Sequence, residues 1–306
     1  MIRPFDPTRD GPGVVEVIHE VFPSGVTTVE DFLQYHATTP ARARHAAWVA
    51  TVDDRIVAHA NASLNWFSSN NSASARVNVS EAFRGRGIGT RLWERVEGHL
   101  RELAPSRVLT MFVESPAAVA FARARGFEEV RAEALSCVDP RTVDTSRVDV
   151  ASFELVPLRD VSPEEVYEVD MITTPDVPMT DEVDDLPYDE WLEMAWRRPT
   201  MSLDGSFAAR ESGRVVCITM LAANLERGRA FNEYTGTLPA HRGRGLASLV
   251  KLASLRWAAE NGVTAVWTTN DETNAPMLAV NRRLGYEPKL RRVEYLREAT
   301  SAETAS

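Results

Sequence analysis

Apolar residues along the chain alternate between a strand period and a helix period, in an order that is given twice. A short strand is expected around Ile2 to Phe5, after which Val14, Val15, Val17, Ile18, Val21 and Phe22 recur at helical spacing. A second helix is predicted over Val29 to Ala37. Ala46 to Val52, a turn at Asp53-Asp54, and Ile56 to Trp66 read as a β-hairpin. Ser74 to Val79 is a further strand. The helix after it carries Ile88, Leu92, Val96, Leu100 and Leu103 on one face and stops at Pro105. A strand over Arg107 to Val113, a short helix over Ser115 to Arg125 closing on Gly126-Phe127, and one or two strands reaching Val138 complete this set.

Asp139 to Ser152 is polar, contains Pro140 and has no sustained period, so it reads as a linker. The order then begins again. Phe153 to Pro157 is a strand, Pro163 to Ile172 and Tyr188 to Arg197 are helices, and Phe207 to Ala223 is a hairpin turning at Glu211-Ser212-Gly213. Phe231 to Leu238 is a strand. The next helix takes its apolar side from Leu246, Leu249, Val250, Leu252, Ala253 and Trp257 and ends at Asn261-Gly262. Val263 to Thr269 is a strand, and Asn274 to Leu284 a helix closing on Gly285-Tyr286. The expected organisation is therefore a domain over 1–138, a linker over 139–152, a second domain over 153–297 and a tail over 298–306. At 306 residues, two domains of about 150 residues is also what the length suggests.

One phrase occurs at the same place in each half. Arg84-Gly85-Arg86-Gly87-Ile88-Gly89-Thr90 and Arg242-Gly243-Arg244-Gly245-Leu246-Ala247-Ser248 each follow a strand and open a helix. The first turn of a helix has N–H groups without partners and carries the positive end of the helix dipole. Glycine there permits positive φ and lets an anion approach the backbone. Neither copy is followed by Gly-Lys-Ser/Thr, and neither has Gly-x-Gly-x-x-Gly spacing, so nucleotide P-loops and dinucleotide folds are disfavoured. A helix entry without a ligand would explain one isolated copy; two in the same context favour anion sites. The two arginines Arg84 and Arg242 lie 158 positions apart, so the repeat has the size of a domain.

Composition narrows the class. Hydrophobic content of 44% and charged content of 25% are ordinary for a globular protein. No apolar run is long enough to span a bilayer, and the N-terminus lacks a signal-peptide core, so a cytoplasmic protein is expected. A net charge of −10 argues against nucleic acid or acidic membranes as partners. Cys137 and Cys217 are too few for a disulfide framework or a Cys-based metal site, and no metal is expected. Cys217, within Val215-Val216-Cys217-Ile218, reads as a small buried thiol. From Asp160 to Glu193 there are 13 Asp or Glu and no Lys, Arg or His.

A strand entering Arg-x-x-Gly-x-Gly/Ala, a helix, a strand, and a short helix closing on Gly-Phe/Tyr resembles the GNAT superfamily of acetyl-coenzyme A-dependent N-acetyltransferases, in its duplicated, tandem-domain form. The resemblance implies an α/β (α+β) fold: two tandem domains, each a mixed, mostly antiparallel twisted sheet flanked by helices. In each, the sheet splays beside the motif so that the coenzyme's pantetheine arm lies like an extra strand and its pyrophosphate sits on the glycine turn. It implies acetyl-CoA as co-substrate and a small-molecule primary amine as acceptor, attacked directly in a ternary complex. Carried onto this sequence, the coenzyme-binding residues are Arg84 to Thr90 (including Arg86, Gly87, Ile88 and Gly89) in the first half. In the second they are Thr237, Leu238, Arg242, Gly243, Arg244, Gly245, Leu246, Ala247, Ser248, Asn270 and Asn274. Family members often follow the Asn of the last helix, seven residues later, with a Tyr that protonates the leaving thiolate. Here that position is Asn281 in the second half and Ala122 in the first, where the Asn position is Ser115. The second half is thus the expected reaction centre. A monomer, pseudo-dimeric by duplication, or a homodimer fits the duplication.

An alkylammonium is almost wholly protonated at neutral pH, so acylation of an amine needs a base or a desolvating pocket. Glu233 lies on the strand leading to the second motif, alternating with Thr235 and Thr237, whereas the same position in the first half is Ala75. Glu233 is the expected base, with a solvent-facing strand residue as the alternative; Asn281 is the other candidate catalytic residue, with a buried structural hydrogen bond as its alternative. The acidic stretch, including Asp176, Asp181, Glu182, Asp184, Asp185 and Asp189, either receives a cationic acceptor, with Asp176 and Asp181 as binding residues, or is a solubilising surface. A non-catalytic coenzyme A-binding module, sensory or structural, remains the alternative for the protein as a whole.

Overall fold

The computed structural model describes residues 1–146, 153–181, 184 and 186–299. These divide into two compact units. In chain order, the first elements are β1 (Ile2–Pro4), α1 (Gly11–Val21), α2 (Val29–Thr38), β2 (Ala46–Val52), β3 (Arg55–Leu64), β4 (Ser72–Val79), α3 (Ile88–Leu103), β5 (Arg107–Val113), α4 (Pro116–Arg123) and β6 (Glu128–Val138). The second series is β7 (Glu154–Pro157), α5 (Pro163–Thr173), α6 (Tyr188–Trp191), β8 (Phe207–Glu211), β9 (Arg214–Asn224), β10 (Arg229–Thr237), α7 (Leu246–Glu260), β11 (Ala265–Asp271), α8 (Ala275–Arg283) and β12 (Glu287–Glu298).

The units are not the two contiguous halves expected from the sequence. Unit 1 takes Met1–Ala132, Met179–Asp184 and Arg292–Ser306, while unit 2 takes Glu133–Pro178 and Asp185–Arg291. Inside unit 1 the strand order is β1-β2-β3-β4-β5-β12, antiparallel except for β4 and β5. Inside unit 2 it is β7-β8-β9-β10-β11-β6, antiparallel except for β10 and β11. The two sheets therefore have the same topology, with the closing strands exchanged along the chain: Arg292 to Glu298 pair with β5, and Glu133 to Val138 pair with β11. Burial explains why the boundaries at 138 and 297 move. Val293 and Tyr295 are fully buried in the unit 1 core, and Val138 is buried in that of unit 2. Of the expected linker, Asp139 to Ser146 is ordered in unit 2, with Pro140 buried and Val143 against the core; 147–152 and most of the tail lie outside the described residues.

The cores follow the apolar periods. In unit 1 the buried face of α3 (Leu92, Val96, Leu100) covers the small residues Ala58, Ala60, Ala62, Ala73 and Ala75 of β3 and β4. In unit 2 the nearly continuous buried run of β9 marks a central strand with both faces covered. The helix expected over Tyr188 to Arg197 completes one α turn and then winds as a π-helix over Leu192–Trp196. At the α1–α2 end of unit 1, His36, His45 and His59 pack with Phe5, Phe32, Tyr35 and Trp66; His36 lies 4.7 Å from His45 and 4.6 Å from Phe32, ring centre to ring centre. Both ring nitrogens of His45 and His59 are buried without a hydrogen-bond partner. Among the described residues no group of three or more His, Cys, Asp or Glu is arranged to hold a metal ion, and no helix is long and apolar enough to cross a membrane.

Candidate active site

In unit 2 the parallel ladder between β10 and β11 runs from Arg229↔Ala265 to Asn232↔Thr268 and ends there. Beyond it, Tyr234 to Thr237 and Thr269 to Asp271 have no ladder between them, which leaves backbone donors and acceptors facing an opening in the sheet. The divergence coincides with a β-bulge: against β9, Asn232 faces Leu221 and Tyr234 faces Met220, so Glu233 is the extra residue. This breaks the alternation expected for Glu233, Thr235 and Thr237. Asn232 and Thr235 both bond the Thr219 hydroxyl, at 2.7 and 2.9 Å, and Thr237 meets Cys217 at 3.2 Å. Glu233 instead turns to Arg198, whose Nη1 lies 3.4 Å from its Oε1. Its carboxylate is about one-third exposed.

At the far end of β10, Gly243 and Gly245 adopt φ of 74° and 80°, and a Cβ at either would meet nothing within 4 Å. Gly245 stands at the N-terminus of α7 without a side-chain cap, and the first helical bond runs from Leu249 N–H to the Gly245 carbonyl. The N–H groups of Leu246, Ala247 and Ser248 are thus the unpaired donors of the first turn. Space, positive φ and open donors together fit a diphosphate, so the chain's own residues are compatible with the coenzyme. The motif arginines brace this turn: Arg242 Nε donates to the Thr237 carbonyl at 3.1 Å and its Nη2 pairs with Asp176, while Arg244 pairs with Glu211 at 2.7 Å and lies over Phe153. The N–H of Leu238 is spent on the Val216 carbonyl at 2.9 Å, so it adds to the sheet instead of the opening.

Asn274 and Asn281 each make a hydrogen bond within unit 2. Asn274 caps α8 by accepting from Met277 N–H at 3.2 Å. Asn281 is buried and its Nδ2 donates to Asn270 Oδ1, tying α8 to the end of β11. Its Oδ1 has no partner. An amide has no proton to give at neutral pH, so Asn281 cannot take the place of a tyrosine acid. Cys217 is fully buried and its thiol is pushed up to about 12, chiefly by burial, which removes it as a nucleophile.

Several carboxylates of the acidic stretch have partners of their own. Asp181 belongs to unit 1, where it is buried against Arg107 at 2.7 Å, Asn65 at 3.1 Å and Ser72. A buried carboxylate needs such partners to offset its lost hydration. Asp176 is neutralised by Arg242, and Asp184 accepts from Ser69 in unit 1. Glu182 and Asp185 lie outside the described residues. Asp170, which the sequence did not single out, is buried in unit 2 and held by Trp191 Nε1 at 2.7 Å and the Thr174 hydroxyl at 2.8 Å; burial raises its carboxyl and these bonds oppose the rise. Beside it the Tyr234 hydroxyl bonds Thr173 at 2.6 Å. Thr173 and Tyr234 crowd Gly236: an added Cβ would come within 2.9 Å of Tyr234 Cε1 and 3.1 Å of Thr173 Cβ. Gly236→Ala is therefore expected to cost about 1–3 kcal/mol of stability by overpacking, read as a drop of several degrees in Tm.

Unit 1 repeats the cradle with different side chains around it. Gly85 and Gly87 have φ of 72° and 74° with open space beside them, and Arg84 Nε donates to the Val79 carbonyl at 3.0 Å, matching Arg242. The ladder between β4 and β5 likewise stops, after Ser74↔Leu109. Arg86 lies over Phe83, and Thr90 accepts from Arg125 at 3.3 Å. However, β4 pairs with β3 without a bulge, Ala75 is buried, Ser115 caps α4 and Ala122 is buried.

The model of the acetyltransferase (GNAT) family matches residues 13–127 and again 164–286. No curated protein matches the sequence. Among solved structures, a tandem GNAT protein from the clavulanic acid biosynthesis pathway superposes with a TM-score of 0.75 at 22% identity, covering 98% of each chain. A GCN5-related N-acetyltransferase from Sphaerobacter thermophilus gives 0.70 at 20% identity, covering 97% of this chain and 95% of that one. A glucosamine N-acetyltransferase region of a fungal multi-domain β-N-acetylglucosaminidase gives 0.65 at 14% identity, over 96% of this chain and 38% of that one. Two matches to one family model, on two units of identical strand order, leave one assignment: the chain belongs to the GNAT acetyltransferase family, as a tandem member.

Proposed function

We propose that this acetyltransferase moves an acetyl group from acetyl-CoA to a primary amine of a small molecule, by direct attack in a ternary complex in unit 2. The observation that carries the reading is the departure of β10 from β11 at the bulged Glu233, within one strand that leads to the Gly243–Gly245 cradle. The first-turn N–H groups of Leu246 to Ser248 would hold the diphosphate, and the open edges of Tyr234 to Thr237 and Thr269 to Asp271 would hold the amide-bearing arm. The coenzyme, when bound, supplies an acyl thioester. The chain's part is to bind it, to orient an incoming amine and to take the ammonium proton on Glu233, directly or through a water. Because Asp176 and Asp181 are already paired, cation preference is not assigned to them.

One observation favours the second reading, a coenzyme A-binding module without turnover: α8 carries no tyrosine, cysteine or histidine to return a proton to the thiolate. Thiol release from acetyl-CoA, measured against a panel of primary amines, separates the two. Amine-dependent release with formation of the N-acetyl product is expected; saturable coenzyme binding with no amine-stimulated release across the panel would replace the enzyme with the binding module.

A further inference from the structure

Lys251, on the face of α7 that packs on the unit 2 sheet, is only 2% exposed. Lysine is almost never fully buried without a carboxylate, because removing an ammonium from water is costly. Among the described residues no carboxylate is paired with it. Its Nζ donates to Asn232 Oδ1 at 2.6 Å and lies 5.1 Å from the centre of the Tyr286 ring. The other repeat shows that the site does not require a lysine. The position 158 residues earlier is Trp93, packed edge-on at 5.6 Å against Phe127, which corresponds to Tyr286. An apolar occupant fills the same place where the sheet has no bulge.

Asn232 is the residue that gives Lys251 its meaning. It is the last residue of β10 in the ladder with β11 and the residue immediately before the bulge. Its Nδ2 donates to Thr219 Oγ1 at 2.7 Å and to the Met220 carbonyl at 3.2 Å, which ties it to β9. Its Oδ1 accepts from Thr235, on the far side of the bulge, at 3.1 Å, as well as from Lys251. Through Lys251 this knot is fastened to α7, the helix whose N-terminus forms the glycine cradle. The side chain thus fixes the spacing between the two ends of the opening.

We propose that Lys251 is a positioning residue for the coenzyme, setting through Asn232 the point at which β10 leaves β11. The assignment rests on the proposed coenzyme-binding role of unit 2. Burial lowers the Lys251 ammonium to about 7, so its charge and the strength of its bond to Asn232 change near neutrality. The elements packed around it also carry Arg229, Glu233 and Tyr234 on β10, Arg210 and Glu211 on β8, Arg214 and Cys217 on β9, and Arg282 and Arg283 on α8, with Cys137 and Tyr286 nearby. Burial raises Cys217 and Tyr234 to about 12 and Cys137 to about 11, and raises Tyr286 as well, so none of these four changes charge in the same range.

The test is direct binding of coenzyme A, without acceptor, to the full-length protein by calorimetry between pH 6 and 9, together with Tm. Lys251→Met is expected to weaken binding about ten-fold at pH 6.5, with the gap from wild type closing above pH 8, while Tm stays level or rises because a buried amine has been replaced by an apolar chain. Asn232→Asp should keep the lysine charged to higher pH and move the fall in affinity upward by a unit or more. Equal affinities for wild type and Lys251→Met at every pH, or a gap that does not vary with pH, would overturn the assignment while leaving the proposed function standing. An unmoved transition in Asn232→Asp overturns it even where Lys251→Met fails to fold. A wild-type protein that binds no coenzyme A overturns the function and the assignment together.

Discussion

Glu233→Gln is expected to lower kcat/KM for a primary-amine acceptor by about 100-fold or more, within the usual range for losing a general base. Glutamine keeps the size of the side chain and an oxygen for Arg198 to bond, so the bulge and the opening should survive. Coenzyme A affinity and Tm should therefore remain within about two-fold and about two degrees of wild type, which locates the loss in the chemical step. The pH profile carries a second signature. An alkylamine acceptor loses its proton only near 10.4, so a variant without a base should regain rate as pH rises and more free amine is supplied by solution. Measuring kcat/KM from pH 6.5 to 9.5 for both proteins checks this. Turnover near wild type throughout would remove Glu233 from the mechanism and leave it as a partner of Arg198.

Acidification is expected to unfold unit 1. His45 and His59 titrate at an ordinary 6.5 when unfolded, but burial holds His45 at about 4 and His59 at about 3, with His36, His99 and Arg76 adding like charge. Their folded values are depressed, so the folded state keeps both rings neutral while the unfolded chain takes up protons. Stability is full above about pH 6.5 and is lost progressively as pH falls toward 4. One such ring costs about 3 kcal/mol across that window, since each pH unit contributes about 1.4 kcal/mol. Two such rings together cost about 6 kcal/mol, comparable to the lower end of the 5–15 kcal/mol that holds an ordinary domain together. Urea midpoints at pH 7, 6, 5 and 4, followed by tyrosine and tryptophan fluorescence, should fall steeply below pH 6. His59→Phe, which leaves an aromatic ring without a basic nitrogen, should flatten the curve. Midpoints independent of pH over this range would show that the rings are not kept neutral.

What the sequence made legible was local. The Arg-Gly phrases, the amphipathic helices opening from them and the Gly-Phe and Gly-Tyr closures depend on backbone angles and periods within a few residues, and Gly85, Gly87, Gly243 and Gly245 all adopt the positive φ they imply. What stayed hidden depends on partners far along the chain. Between Glu287 and Glu298, the charged residues Lys289, Arg291, Arg292 and Glu294 disguise a strand whose Val293 and Tyr295 are buried; nothing nearby announces β5 as its neighbour. The bulge at Glu233 is a mismatch of register with β9, invisible from one strand alone. Lys251, and the burial of Asp181, escaped for a related reason. A lysine or an aspartate reads as solvent-facing until the groups that offset its burial are known: Asn232 and Tyr286 for the one, Arg107 and Ser72 for the other.

The exchange of closing strands also sets a timetable for biosynthesis. A domain made of contiguous residues can finish folding soon after its last residue leaves the ribosome, but unit 1 waits for the end of β12. At about 5–20 residues per second, making the chain from Ala132 to Glu298 takes on the order of 10–30 s. For that interval β5 has a bare edge and the alanine-rich core lacks Val293 and Tyr295, which leaves the first-made part of the protein the last to be completed.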